Sequence, residues 1–347
     1  MPRIAVVSSH PPFTGGGHLA IARSLAQALR EAGHEAEVIL TPQNRFGRQG
    51  AAYLATWLTD VGESDGRRID QVISLRFPAY AVRHPQHVCW LVHTMREYYD
   101  QWPAFEARLS RGNRLKEGLR RRLVHAADGH FLGVRRVRRL FTISATVQRR
   151  LQAGLAERAV VLHPPPPPRP YRCDGYGDYV FGVSRFTPLK RLDLLVRAIA
   201  EPTARAVKAV IAGDGQEADR LRALAEELGV AQRVRFIGTA DEETLLEHYA
   251  RCRAVCFTPL DEDYGFVTVE AFAAGKPVVS CRDSGGPAEL IADNQNGYLC
   301  APEPAAIASA LARLCEDSAL AERLGAEAKR RADAMQWSEI VRQLVLA

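Results

Sequence analysis

From its first residues the chain alternates short apolar runs with stretches of helical periodicity. Ile4 to Ser8 is an apolar run of strand length, and His18 to Ala32 repeats its apolar positions at helical spacing. Ala36 to Leu40, Gln71 to Leu75 and Val88 to Val92 read as further strands. Arg139 to Ser144 reads as a strand whose Ser144 caps the next helix, and Ala159 to Leu162 as the last strand of this half. A second series opens with a strand from Tyr179 to Ser184 and a helix from Arg191. It continues through strands at Val207 to Ala212, Arg233 to Ile237, Ala254 to Phe257 and Pro277 to Ser280, separated by helices from Gln216, Asp241 and Phe266. Strands separated by helix-length segments predict parallel sheets built from βαβ units, with about six strands in the second sheet.

Between the two series lies His163-Pro164-Pro165-Pro166-Pro167-Pro168-Arg169-Pro170, which cannot continue a helix or join a central strand. It predicts a boundary between an amino-terminal domain, residues 1–168, and a carboxy-terminal domain, residues 169–347. The expected fold class is therefore α/β, with two Rossmann-like domains. Ligands of such sheets bind beyond the carboxyl ends of the strands, so the loops that follow strands are where chemistry is expected.

Hydrophobic residues at 47% and charged residues at 25% exclude a disordered chain. No apolar run reaches the roughly 18 residues of a spanning helix, and the first strand lacks the features of a signal peptide. A cytoplasmic enzyme is the expectation. The seven cysteines form no CxxC pair, and Cys252 and Cys256 have no nearby partner ligands, so no metal is expected. The net charge of +6 is concentrated at Arg120-Arg121-Arg122 and Arg135-Arg136-Val137-Arg138-Arg139. That patch reads as a solvated helical face, or as a contact for an anionic acceptor, the inner face of a membrane or nucleic acid.

Three loops carry candidate chemistry. Thr14-Gly15-Gly16-Gly17-His18 opens a helix after the first strand, where backbone amides favour an anion. It is not GxGxxG, and Ile39-Leu40-Thr41 supplies no acid for a dinucleotide ribose, which disfavours a dinucleotide oxidoreductase. Ser184-Arg185-Phe186-Thr187-Pro188-Leu189-Lys190 sets two cations between a strand and a helix, suited to neutralising a diphosphate. Glu262-Asp263-Tyr264-Gly265-Phe266-Val267-Thr268-Val269-Glu270 has one glutamate in a loop and one inside a helix, where a carboxylate normally faces solvent. Turned toward a ligand, Glu270 would accept both hydroxyls of a ribose, and the amides of Gly265 and Phe266 would hold a phosphate.

That block, the following Ala274-Gly275-Lys276-Pro277-Val278-Val279, Gly213-Asp214-Gly215 and the Arg185/Lys190 pair occur together and in order. In combination they closely resemble family 4 of the retaining nucleotide-sugar glycosyltransferases. The resemblance implies a GT-B fold, its two Rossmann-like domains facing each other across a cleft. The amino-terminal domain would bind the acceptor and the carboxy-terminal domain the nucleotide sugar, and the final helix would pack back on the first domain. It implies that Arg185 and Lys190 contact the donor diphosphate, Glu270 the ribose and Glu262 the transferred sugar. Gly265, Phe266, Gly16 and Gly17 would grip phosphate and sugar, and Ile237 would lie beside the base.

Cys89-Trp90-Leu91-Val92-His93-Thr94-Met95-Arg96-Glu97-Tyr98-Tyr99-Asp100 resembles a bacterial subset of the same family. It places His93 beside the reacting sugar, with a buried structural imidazole as the competing reading, and Arg96, Tyr98 and Tyr99 toward the acceptor. The donor implied is a UDP- or GDP-sugar with no further cofactor. The acceptor would be a glycan, a lipid-linked saccharide or a small molecule, with peripheral membrane contact open and no nucleic acid expected. A nucleotide-sugar epimerase of the same architecture and a non-catalytic anion-binding protein are the competing functions.

Overall fold

The computed structural model describes residues 1–11, 16–43 and 46–346. The chain forms two compact units, one of residues 1–167 with the carboxy-terminal segment from Gln336, the other Pro168–Met335.

The first unit has strands β1 (Arg3–His10), β2 (Glu35–Pro42), β3 (Glu63–Ser64), β4 (Arg67–Arg68), β5 (Gln71–Ser74), β6 (His87–Leu91), β7 (Arg139–Thr142) and β8 (Val160–Val161). Its helices are α1 (Gly17–Glu31), α2 (Gln49–Leu58), α3 (Trp102–Ala107), α4 (Arg111–Phe131), α5 (Ala145–Arg149) and α6 (Ala153–Arg158). The main sheet is parallel, in the order β2-β1-β5-β6-β7-β8, and β3 and β4 form a separate antiparallel hairpin. Val6, Val7, Val72, Ile73 and Val88 are fully buried, since a sheet covered on both faces needs continuous apolar runs rather than alternation. Ser144 accepts the Val147 amide at 3.0 Å and so starts α5.

The second unit has strands β9 (Tyr179–Val183), β10 (Lys208–Ala212), β11 (Val234–Gly238), β12 (Ala254–Cys256), β13 (Val278–Cys281) and β14 (Gly297–Cys300). Its helices are α7 (Leu192–Ala200), α8 (Ala218–Glu227), α9 (Glu242–Arg251), α10 (Phe266–Ala273), α11 (Gly286–Leu290), α12 (Pro304–Glu316) and α13 (Ser318–Asp333). The sheet order is β11-β10-β9-β12-β13-β14, again all parallel. Leu195, Val196 and Ile199 of α7 pack in one core with Ile211, Ile307 and Leu311.

The last helix, α14 (Trp337–Leu344), belongs to the first unit. Its Trp337 indole donates to the Pro166 carbonyl at 3.0 Å and meets Trp90 edge-on, while Gln71 donates to the Leu344 carbonyl at 2.7 Å. No described helix is long and apolar enough to cross a membrane.

The basic run at Arg120–Arg122 does not behave as one solvated face. Arg120 pairs with Glu117 and Arg121 donates to the Tyr98 carbonyl, leaving Arg122 exposed.

Candidate active site

In the second unit the strand order reverses at β9, whose neighbours are β10 on one side and β12 on the other. Loops leaving the carboxyl ends of two such strands diverge and open a crevice. Lys190 follows β9 and Glu262 follows β12, and the Lys190 ammonium donates to Glu262 Oε2 at 2.6 Å. The pair thus spans the switch point. It is partly exposed, so both groups stay within reach of a solute.

Backbone bonds explain why these residues meet. The Leu260 amide donates to the Leu189 carbonyl at 2.8 Å, joining the loop after β12 to the loop after β9. Glu262 is zipped to the loop after β13, donating to Ser284 and accepting from Gly286, each at 2.9 Å. Arg191 then clamps all three loops. Its guanidinium donates to the Thr258 and Pro259 carbonyls at 2.9 and 2.7 Å and makes a two-pronged pair with Asp283 at 2.7 and 2.6 Å. Arg191 holds a left-handed backbone at φ 47°, a strained conformation that this set of bonds over-determines. Sequence reasoning missed Arg191 and Asp283, because nothing in the local sequence of either announces a clamp.

Arg185 is exposed, and its side chain makes no hydrogen bond or ion pair among the described residues. Its loop is held from below by Gly213, at φ 133°, where an added Cβ would sit 1.8 Å from the Ser184 carbonyl oxygen. The Phe186 amide bonds the Asp214 carbonyl at 2.8 Å, so the Gly213-Asp214-Gly215 loop serves as the floor under the Arg185 segment. Ile237 stands half-buried at the end of the edge strand β11.

Gly265 caps α10 in the left-handed region at φ 79°. The amides of Gly265, Phe266 and Val267 have no acceptor among the described residues, so the helix start presents unused donors. A Cβ on Gly265 would lie 2.7 Å from both Phe257 and Pro287. Gly265→Ala is therefore expected to cost about 1–3 kcal/mol of stability, to be read from the urea unfolding midpoint.

Glu270 departs from the solvent-facing position usual for a helical carboxylate: it is 8% exposed. Its Oε1 takes the Arg169 guanidinium at 3.0 Å and its Oε2 the Tyr249 hydroxyl at 2.9 Å. Burial pushes this carboxyl above the usual range, against the pull of Arg169 and of the tyrosine bond. Arg169 also pairs with Glu242 at 3.2 Å. Arg169, the one cation within the proline run, was not singled out in the sequence because its partners lie far along the chain. Glu270 is not hydrogen-bonded to the Lys190–Glu262 pair; each carboxylate has its own cation.

In the first unit, α1 starts at Gly17 after Gly16 with no side-chain cap and no acid in its first turn. Thr14 and Gly15 lie outside the described residues. His93, half-buried after β6, has Nδ1 2.7 Å from the Thr94 carbonyl. A carbonyl only accepts, so Nδ1 carries the proton and Nε2 of the neutral ring is an acceptor. Burial, reinforced by the charge of Arg76, lowers the imidazole to about 3. At neutral pH His93 can therefore receive a hydrogen bond at Nε2 but cannot act there as an acid.

The three acceptor-side residues are engaged within their own unit. Arg96 donates from Nε and Nη2 to one oxygen of Asp100, Oδ2, at 3.0 and 2.7 Å. The buried hydroxyls of Tyr98 and Tyr99 donate to Glu117 and Asp128, each at 2.7 Å. These tyrosines fasten α4 to the unit.

His87 offers a pH test of the core. It is fully buried with Nε2 2.7 Å from the Ser74 hydroxyl, and burial lowers it from 6.5 to about 3. The unfolded chain binds the proton first, so the stability this group contributes is present above about pH 6.5 and is lost as pH falls toward about 3. Urea midpoints measured across that window should fall with pH, with a shallower slope in His87→Gln.

Among the described residues no group of three or more His, Cys, Asp or Glu could hold a metal ion. Fixed cations, unused helix-start amides and buried carboxylates are the groups that suit a phosphorylated, hydroxyl-rich ligand.

The α/β fold, with two units each built on a parallel six-stranded sheet, is the fold of solved GT-B glycosyltransferases. Residues 173–331, all within the second unit, match the family model described as Glycosyl transferases group 1. The chain is similar to the D-inositol 3-phosphate glycosyltransferase of Frankia alni, at 36% identity over 181 residues, 49% of this chain and 44% of the relative. The matched stretch thus spans less than half the length of that curated relative. Among solved structures, Anabaena Alr3699/HepE in complex with UDP and glucose superposes with TM-score 0.67 at 18% identity, covering 98% of this chain and 97% of that one. The sucrose-phosphate synthase of Thermosynechococcus elongatus superposes with TM-score 0.74 at 17% identity, covering 99% and 97%.

Proposed function

We propose that this chain is a retaining glycosyltransferase that moves a sugar from a nucleoside-diphosphate donor to an acceptor hydroxyl. The observation that carries the reading is the Lys190–Glu262 pair at the switch point of the second sheet, with the exposed Arg185 in the same loop as Lys190 and a start of α10 that has no side-chain cap. Arg185 and Lys190 neutralise the diphosphate, and the amides of Gly265 and Phe266 hold phosphate and sugar oxygens. Glu262 accepts from the sugar hydroxyls, Glu270 from the ribose, and Ile237 packs against the base. The family match lies within the second unit and so supports the donor side most directly. UDP is the favoured nucleotide of the donor, since a solved structure similar over nearly the whole chain holds UDP.

In the reaction the bond from the anomeric carbon to the diphosphate oxygen breaks, and its electron pair stays on the phosphate. The acceptor oxygen attacks from the same face and its proton passes to that phosphate oxygen. No covalent intermediate is assigned: Glu270 is buried and paired with Arg169, and Glu262, paired with Lys190, is given to the sugar hydroxyls. In the first unit, neutral His93 accepts a hydrogen bond from a sugar hydroxyl. Gly16 and Gly17, at the uncapped start of α1, hold an anionic oxygen. Arg96, Tyr98 and Tyr99 mark the acceptor side.

The test is a thermal-shift screen of UDP, GDP and their sugars, followed by NMR of the product. A true donor raises Tm by mass action, and the product keeps the anomeric configuration of the donor. No stabilisation by any nucleotide, or an inverted product, overturns the reading. Conversion of donor alone into an epimer would assign the chain to the epimerases.

A further inference from the structure

Helix α4 is inside out. Its only two acids, Glu117 and Asp128, are buried, whereas Leu115, Leu119 and Leu123 are 80%, 60% and 62% exposed. At about 100° per residue the three leucines fall within roughly 80° of one another, with Glu117, Val124 and Asp128 on the opposite side. The inward face is fastened by polar bonds. Glu117 accepts from Tyr98 and Arg120, Asp128 accepts from Tyr53, Tyr80 and Tyr99, and His125 and Arg121 both bond the Tyr98 carbonyl. A helix that buries carboxylates and turns leucines to solvent runs against the usual pattern of a water-facing helix.

The exposed charge that α4 itself sets beside the stripe is of one sign. Arg111, Lys116 and Arg122 are exposed and flank the leucines on the wheel, and both carboxylates of the helix are spent inside. We propose that α4 docks this protein on an anionic lipid surface, the leucines entering the interfacial layer and the flanking cations meeting headgroup phosphates. Charge selects this occupant. A second copy of the same face would set cations against cations, and a nucleic acid would meet the cations but leave the leucines in water.

The experiment is vesicle co-sedimentation of the full chain without donor, so its outcome is independent of the catalytic reading. Vesicles of phosphatidylcholine and phosphatidylglycerol in equal parts should bind the protein at least about tenfold more strongly than phosphatidylcholine alone, and added salt should weaken the binding. The triple variant Leu115→Ser, Leu119→Ser, Leu123→Ser should lose the bound fraction while keeping its melting temperature, because these side chains touch water rather than the core. Arg111→Gln with Lys116→Gln and Arg122→Gln should abolish the preference for anionic vesicles. Equal binding to both vesicle types, no binding, or unchanged binding by the leucine variant overturns the proposal. So does a wild-type dimer in sedimentation velocity that the leucine variant converts to monomer, since the stripe is then covered by a second copy.

Discussion

Lys190→Ala is expected to lower kcat by about 10²–10³, the usual cost of deleting one group aimed at charge that develops in a transition state. The ammonium lies 2.6 Å from Glu262, so it is held in one place rather than left to search. In the proposed reaction negative charge accumulates on the departing diphosphate, and the loss should fall on kcat more than on KM. The fold should survive. Glu262 keeps its backbone bonds to Ser284 and Gly286, and its partly exposed carboxylate can turn to water, so the stability change should stay within about 1 kcal/mol. Steady-state kinetics beside a thermal melt decide the matter. Lys190→Arg keeps the charge but replaces a point donor by a planar fork, and should recover only part of the rate. A variant without the amine that turns over within a few-fold of wild type would mean that the pair is only structural.

The sequence was most legible where the chain is most regular. Short apolar runs such as Ile4 to Ser8, and Val207 to Ala212 broken only by Lys208, read as strands buried on both faces, and each lies in its sheet. β14 escaped because Gly297-Tyr298-Leu299-Cys300 opens on a glycine and holds no β-branched residue to mark it as a strand. α4 was legible only in part, as the helical face around Arg120 to Arg122. Which of its faces goes inward was not, because Glu117 and Asp128 are held there by tyrosine hydroxyls from distant segments.

The site divides in the same way. Arg185, Lys190 and Glu262 could be named because they lie in short loops after recognisable strands. Arg191 could not, although it ties together the loops that carry Lys190 and Glu262. Its meaning lies in Thr258, Pro259 and Asp283, none of them near in sequence. Long-range clamps leave no periodic or local trace, and so the supporting parts of a site are harder to read than its reactive ones.

Glu270 is where local pattern and tertiary structure disagree most, and its substitution separates two roles. Glu270→Ala leaves the Tyr249 hydroxyl, fully buried, without its acceptor and reduces Arg169 to its partner Glu242. A loss of about 1–3 kcal/mol should follow, read as a lower urea midpoint, and activity lost in that variant could reflect unfolding alone. Glu270→Gln is the informative change. Its amide oxygen can still accept from Tyr249, so the fold should be largely kept, but the charged acceptor for a ribose diol is gone. A charged hydrogen bond contributes about 1.5–3 kcal/mol, so donor KM should rise about 10- to 100-fold with kcat less affected. Arg169→Gln acts in the other direction. The guanidinium is bound at Oε1 and, on the proposed role of Glu270, competes there with the ribose, so weakening it should leave KM unchanged or lower it. If Glu270→Gln binds donor as well as wild type does, the carboxylate serves only to hold Arg169 and Tyr249, and the ribose must be held elsewhere.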